Sequence, residues 1–187
     1  MRVYHYELLP KMSLFLLHNQ LNDFIQIIKE YTNNRELAEK NLLDIFSYNY
    51  NYVYKDTQNA LYYLGLILRE LENRKEFSLD KDYTWSAWMP YVSDLFKTEY
   101  PELGRDKSDY DILVSILEMT KFGQEKGYKP FKEHNNRYLL QCFFELQNLY
   151  DNDIYKDTVT EGCMRDITMF ITERFKDMSV YDSVMFI

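Results

Sequence analysis

The sequence predicts an all-α protein: a single-domain helical bundle of about six to seven helices. Apolar residues recur at three- and four-residue steps along most of the chain, which is the spacing of amphipathic helices. Only 5 Gly and 4 Pro occur among 187 residues, whereas all-β folds need turn residues every few positions. Residues 1–187 are therefore expected to form one domain, with hinge segments at 75–83 and 100–107 where the helical pattern lapses.

The amino-terminal part is predicted to hold a lead-in and two helices. The first ten residues alternate loosely and end at Pro10, so an extended or irregular segment is expected. Apolar spacing predicts a helix over 14–31. A second helix is expected over 33–46, with Glu36 three residues after Asn33 as its capping-box partner.

The central part is predicted to hold a loop and two helices. Residues 47–55 are polar and aromatic and indicate a loop, after which Asp56 is expected to cap a helix whose apolar stripe runs to Leu71. The apolar spacing over 85–96 predicts a helix that is interrupted or begins near Pro90.

Three helices are predicted in the remainder. Ser108 followed by Asp111 resembles an N-terminal cap, and Gly123 is expected to stop that helix. An apolar helix should begin at residue 135 or 136, and a last one should cover 158–175. The bundle core is expected from four helices, which begin near Leu14, Asp56, Ser108 and Asn135.

Charge limits the classes of function. The net charge is −8 and the pI is near 5.0. Nucleic-acid-binding proteins are usually basic, because neutralising phosphates supplies most of their affinity. This composition favours a protein that binds basic partners, or DNA binding confined to a local basic cleft.

Neither a metal nor a cofactor is expected. Cys142 and Cys163 have the wrong spacing for a disulfide framework or a zinc site, and both are interpreted as reduced core residues. His5, His18 and His134 are far apart in the sequence. No apolar run approaches membrane-spanning length, and the first residues lack the apolar stretch of a secretion signal, so a cytoplasmic location is expected.

Two blocks of residues carry a resemblance to a known family. The first is MRVYHYELLP with the following LLHNQLND, and the second is PFKEHNNRYLLQCFFELQ at 130–147. In this order they resemble the endonuclease V-type pyrimidine-dimer DNA glycosylases of bacteria and phages. LYYLGLILRELENR, between them, is loosely similar to that family's central helix. The residues of the first block that fall in register without a gap are Arg2, Tyr4, His5, Leu8, Pro10, Leu16, Leu17 and Gln20.

The resemblance implies a chemistry for the terminus. The family's nucleophile is the α-amine of the first residue, here Met1, which the large Arg2 side chain should protect from removal. An α-amine has a pKa near ~8, about two units below that of lysine, so more of it is neutral and nucleophilic. The amine attacks the sugar of a damaged nucleotide in double-stranded DNA, and the resulting imine permits strand cleavage. Asp23 stands where the family has a catalytic glutamate, and Asn22 where it has an arginine.

The same resemblance implies substrate-binding roles for Arg2, His5, Gln20 and His134. Simpler interpretations stay open beside these. Asp23 also fits a solvated helix residue, and His134 with Asn135 fits a helix cap. His18 is expected at the surface, and the aromatic pairs are expected in the core. Those pairs are Trp85 with Trp88 and Phe143 with Phe144.

Three hypotheses about function follow. The first is a divergent glycosylase with lyase activity. The second is a catalytically inactive, acidic helical binding protein, such as a phage-encoded inhibitor that covers the nucleic-acid-binding surface of a basic protein. The third is a helical protein whose resemblance is coincidental. The apolar VMFI tail fits either the core or a homodimer interface.

Local charge should discriminate between the first two hypotheses. A DNA enzyme needs its cations to converge on one groove near Met1; the candidates are Arg2, Lys11, Lys29, Arg35 and Arg137. A binding protein should instead show dispersed cations and a dominant acidic surface, for which the candidates are Asp106, Asp109, Asp111, Glu145, Asp151 and Asp153.

Overall fold

The computed structural model describes residues 5–46, 56–127, 136–152 and 158–176. Within these ranges the chain is helical and contains no strand, which confirms the prediction of an all-α bundle. The α-helices are α1 (Leu14–Asn33), α2 (Arg35–Phe46), α3 (Asp56–Asn73), α4 (Met89–Glu99), α5 (Pro101–Gly104), α6 (Asp109–Glu125), α7 (Asn136–Asp151) and α8 (Thr158–Phe175). Two 3-10 turns occur at Tyr6–Lys11 and Thr84–Ala87.

Four helices form the centre of the bundle. Helix α1 packs against α3 and α4, and α6 packs against the same two helices from the other side. Helix α2 lies along α1 and α3. Among the described residues α7 packs chiefly on α8, which in turn contacts the 3-10 turn at Tyr6–Lys11. As predicted, the helix near Asn135 contributes buried residues to the core, and α4, which was not among the four expected helices, contributes to it as well.

Buried apolar side chains from α1, α3, α4, α6, α7 and α8 form one continuous cluster. The largest fully buried side chains include Tyr63, Phe24 and Phe96. Trp85 is buried, as expected. Trp88 and Phe143 are half-buried at the margin of the cluster, and Phe144 is 39% exposed, so the expectation of core positions is wrong for Phe144.

Hydroxyl groups cap two of the central helices. The Ser13 Oγ accepts a hydrogen bond from the Leu16 amide at 3.2 Å and so begins α1. The predicted cap of α6 is confirmed, because the Ser108 Oγ accepts from the Asp111 amide at 3.2 Å. Each bond satisfies one of the amide groups that a helix start leaves without a partner.

The start of α2 differs from the prediction by one residue. Asn33 is the last residue of α1, and the Asn34 Oδ1 accepts from the Leu37 amide at 3.1 Å. The capping box expected between Asn33 and Glu36 is therefore wrong. The close succession of two helices leaves a single residue between them, and only its side chain can face the first turn of α2.

The segments proposed as hinges contain short ordered structure. Residues 75–83 form turns that begin with Lys75 in the left-handed region at φ 61°, and 100–107 contain α5 and Asp106 at φ 58°. Between them, α4 begins at Met89 with Pro90 in its first turn, as predicted. A proline is favoured there because first-turn amides have no helical acceptor. No described helix is long and apolar enough to cross a membrane.

Two helical glycines mark the closest approaches between central helices. Helix α6 continues through Gly123 to Glu125, so the predicted stop is wrong. A Cβ at Gly123 would lie 2.6 Å from the Tyr62 hydroxyl oxygen. This hydroxyl is shielded from water, and its burial raises the pKa of Tyr62 to about 12. A Cβ at Gly65 on α3 would lie 2.0 Å from the Thr120 Oγ1 and 3.2 Å from a methyl carbon of Ile116. Glycine is therefore required by packing at both positions.

We expect Gly65→Ala to lower the free energy of unfolding by about 1–3 kcal/mol, because the added methyl group overpacks the contact with α6. The matched control is Gly162→Ala in α8, where nothing lies within 4 Å of the added Cβ. There the better helix propensity of alanine should stabilise the protein by up to about 1 kcal/mol. Urea unfolding followed by circular dichroism measures both changes, and equal effects would contradict the packing described here.

Candidate functional site

The described part of the amino-terminal segment is held against the bundle in a regular turn, where an extended or irregular lead-in was predicted. Residues Tyr6–Lys11 form a 3-10 turn. The guanidinium of Arg74, just beyond α3, donates to the carbonyl oxygens of Met12 at 2.7 Å, Leu9 at 3.1 Å and Pro10 at 3.3 Å. The same side chain pairs with Glu70 at 2.8 Å. This set of contacts, the Arg74 clamp, fixes the lead-in to the end of α3.

His5 lies at the start of this turn and is fully buried. Its Nδ1 accepts a hydrogen bond from the Glu7 amide at 3.2 Å, so the side chain caps the turn. The imidazole also stacks on the Tyr6 ring, with centroids 5.0 Å apart and planes 19° apart. The described contacts give His5 a structural role, and its predicted substrate-binding role stays a prediction.

Glu7 connects the lead-in to α8. Its carboxylate forms a salt bridge with Arg174 and accepts a hydrogen bond from the Tyr6 hydroxyl at 2.9 Å. The two side chains of the salt bridge are 16% and 29% exposed, so the pair is partly shielded from solvent. The turn is therefore held from two sides, by α3 through Arg74 and by α8 through Arg174.

Gln20 is buried in α1 and bonds to groups on both sides. Its Nε2 donates to the Met12 Sδ at 3.2 Å, and its Oε1 accepts from the Tyr63 hydroxyl at 3.4 Å. The Tyr63 ring stacks on Phe24, with centroids 4.8 Å apart. These bonds satisfy a polar group that would otherwise be costly to bury, and they join the lead-in, α1 and α3. The predicted substrate-binding role of Gln20 stays a prediction.

Asp23 lies one helical turn beyond Gln20 and is half-buried, whereas Asn22 is exposed. Both interpretations of Asp23, as a catalytic carboxylate and as a solvated helix residue, stay predictions. Met1, Arg2 and His134 lie outside the described residues, and so does the predicted proximity of Met1 to Asp23.

Two of the candidate cations that the structure describes lie at opposite ends of one helix. Lys11 precedes α1 and Arg35 follows it. Because α1 has 20 residues, its two ends are separated by roughly 30 Å. Arg2 and the side chain of Arg137 lie outside the described part of the chain. The convergence of these cations on one groove near Met1, which the DNA-enzyme hypothesis requires, stays a prediction.

The cations near the end of α1 are engaged within the protein. Arg35 donates from Nε to the Glu39 Oε1 at 3.0 Å, and its Nη2 lies 4.0 Å from the Oε1 of Glu99, whose side chain is 5% exposed. The Lys29 Nζ lies 5.3 Å from the centroid of the Tyr91 ring. A phosphate would have to compete with these partners, which weakens this end of α1 as a DNA-binding surface.

Two of the acidic candidates lie at the start of α6. Asp109 and Asp111 are in its first turn, where the helix dipole favours negative charge, and Asp109 also accepts a hydrogen bond from the Ser93 hydroxyl at 2.7 Å. Asp106 and Asp151 are exposed, and Glu145 is half-buried. Asp153 lies outside the described residues.

His18 is exposed, as expected. Cys142 is a buried thiol, as expected, whereas Cys163 is only half-buried. Among the described residues no group of three His, Cys, Asp or Glu side chains has the arrangement of a metal site.

The sequence reasoning missed Arg74, which organises the lead-in. Its signal was the Glu70–Arg74 spacing of four residues at the end of the α3 stripe, a spacing that pairs charges on one helix face. That spacing indicates the ion pair alone. The three carbonyl acceptors lie more than sixty residues earlier in the chain and leave no local pattern.

We expect Arg74→Met to lower the free energy of unfolding by about 2–3 kcal/mol, because three carbonyl groups lose a charged donor. Amide hydrogen exchange in residues 5–12 should rise most. The matched control is Arg69→Met on the same helix, since Arg69 donates only to the exposed Gln124 at 2.8 Å among the described contacts. That change should cost less than about 1 kcal/mol. Equal exchange in both variants would contradict a specific role for the Arg74 clamp.

No protein-family model, no curated protein and no solved structure matches this chain. The resemblance to the pyrimidine-dimer DNA glycosylases therefore rests on the two sequence blocks themselves.

Proposed function

We propose that this protein is a divergent member of the pyrimidine-dimer DNA glycosylase type, which acts on damaged double-stranded DNA through its terminal amine with weakened activity. The Arg74 clamp is the observation that carries the proposal. A nucleophile at the first residue needs the backbone that follows it to be ordered, because a free terminus would lose much entropy on reaching the transition state. The clamp and the buried His5 order the chain to within four residues of Met1.

The proposed reaction follows from the chemistry of an amine. The neutral α-amine attacks the sugar carbon that carries the damaged base, and the bond from this carbon to the base breaks. The sugar ring opens to give an imine between the protein and the DNA. Loss of a proton next to the imine then expels the 3′ phosphate by β-elimination. Asp23 would assist the proton transfers at the sugar.

Two substitutions relative to the family explain why the activity should be weak. Asp23 is one methylene shorter than glutamate, which withdraws the carboxylate by about 1.5 Å, and misplacement on that scale can cost about 10²-fold in rate. Asn22 cannot form the charged, two-pronged contact that arginine makes with phosphate. The net charge of −8 further weakens DNA binding at physiological salt.

A second candidate function is favoured by the positions of the cations. Lys11 and Arg35 lie at opposite ends of α1, and Arg35 and Lys29 contact groups of the protein itself. This arrangement supports an inactive helical scaffold that binds a basic protein, for which a net charge of −8 is suited.

Borohydride reduces the imine and should therefore trap a covalent adduct between the chain and DNA that contains an abasic site. The yield should be low, because the activity is weak. Blocking the terminal amine, or extending the chain before Met1, should abolish the adduct while leaving lysine amines intact. Denaturing gel electrophoresis measures the yield, and the extended chain is the matched control.

Introducing the family's residues at Asn22 and Asp23 provides a second test of the proposed mechanism. Asn22→Arg combined with Asp23→Glu should raise the rate of trapping by up to about 10²-fold, whereas Asp23→Ala should abolish it. If neither the native nor the restored chain forms an adduct, the enzymatic proposal is wrong. Tight binding of a basic protein by the same preparation would then support the second candidate.

A further inference from the structure

A surface near the start of α6 carries two exposed tyrosines. Tyr83 is 67% exposed and Tyr110 is 41% exposed, and the Tyr110 ring centroid lies 6.2 Å from that of the buried Trp85. Asp80 and Asp82 belong to the turns that precede the 3-10 turn Thr84–Ala87. We call Asp80, Asp82, Tyr83 and Tyr110 the tyrosine–aspartate patch. Neither the candidate site nor the family resemblance accounts for it.

The patch is held by hydrogen bonds between separate parts of the chain. The Tyr110 hydroxyl donates to the Asp80 Oδ1 at 3.0 Å, which ties α6 to the turn. The Asp82 Oδ1 accepts from the amide and the hydroxyl of Thr84, at 3.0 and 2.8 Å. Beneath them, the Trp85 indole donates to the Leu79 carbonyl at 3.3 Å. Side chains fixed in this way lose little entropy when a partner binds.

The patch contains two carboxylates, Asp80 and Asp82. The hydrogen bond to Asp80 and the charge of that carboxylate raise the pKa of Tyr110, and Asp111 raises it further. The two hydrogen bonds from Thr84 lower the pKa of Asp82, and the nearby His18 also lowers it. Within the described part of the chain no lysine or arginine forms a salt bridge with Asp80 or Asp82, although Lys81 lies between them in sequence.

We infer that the tyrosine–aspartate patch binds a lysine- or arginine-rich segment of a partner protein. Exposed tyrosine rings attract cations to their faces, and tyrosine is among the residues that contribute most to protein interfaces. The two carboxylates supply the complementary charge at positions that hydrogen bonds already fix. Phosphates would be repelled by the same carboxylates, so the patch is unsuited to DNA.

This inference rests on the second candidate function in one respect, because both require a basic partner. It adds the surface of this protein to which that partner binds. It does not involve Met1 or Asp23, so a catalytically active chain would carry the same surface. The borohydride experiment and the binding experiment therefore succeed or fail independently.

The test uses the full chain and a short synthetic peptide of alternating lysine and arginine, with binding measured calorimetrically at physiological salt. Tyr83→Ala combined with Tyr110→Ala should weaken the affinity by about tenfold or more. Phe122→Ala, at the far end of α6 and 61% exposed in the native chain, should change it less than about twofold. Tyr110→Phe keeps the ring and should retain most of the affinity, which distinguishes loss of binding from loss of folding.

A second pair of variants separates the patch from net charge. Asp80→Asn with Asp82→Asn should weaken binding by about tenfold. Glu118→Gln with Glu125→Gln, which removes the same charge from exposed positions further along α6, should weaken it less than about twofold. Equal losses in the two pairs would show that the peptide responds to net charge alone and would overturn the inference. Duplex DNA binding that the tyrosine substitutions weaken would overturn it as well.

Discussion

The fold of the amino-terminal region depends on one arginine. A 3-10 turn has poorer hydrogen-bond geometry than an α-helix and is rarely stable alone. Here Arg74 binds the carbonyl oxygens of Leu9, Pro10 and Met12, while Glu70 holds its guanidinium in place. Because this side chain is only partly exposed, its bonds are less screened by water than those of a surface ion pair.

Two further features depend on the position of this turn. Burial of Leu8 in the core requires the turn to lie against α3. The attachment of α8 uses the same turn, since α8 contacts it and Arg174 pairs with Glu7. Among the described residues, α8 is therefore joined to the rest of the bundle in part through a segment that Arg74 fixes. Loss of the Arg74 contacts would consequently also weaken the attachment of α8.

The distribution of charge and the family resemblance favour different candidate functions. Two of the cations that DNA binding would need, Arg35 and Lys29, contact groups of the protein itself. Arg35 pairs with Glu39 and Glu99, and both cations lie over aromatic rings. These contacts stabilise the junction of α1, α2 and α4. Carboxylates of the 78–84 turns, in contrast, form no described salt bridge and lie beside exposed tyrosines. The resemblance and the ordered lead-in support a DNA enzyme, whereas the arrangement of charge supports a binding protein.

The amino-acid sequence by itself determined the helices and several of their ends. Apolar spacing located α1 and α3, because an amphipathic helix records its buried face locally. Ser108 marked the start of α6 and Pro90 the first turn of α4 by the same local logic. For the candidate site, the sequence supplied the residue types and the order of the blocks, but no distances between them.

Only the tertiary structure decided the features that depend on distant parts of the chain. The 3-10 lead-in required a donor on α3, and the continuation of α6 through Gly123 required the Tyr62 ring to pack against it. The place of α4 among the central helices likewise follows from how the helices pack. Such contacts join residues far apart in sequence, and a local pattern of residues carries no signal of its long-range partner.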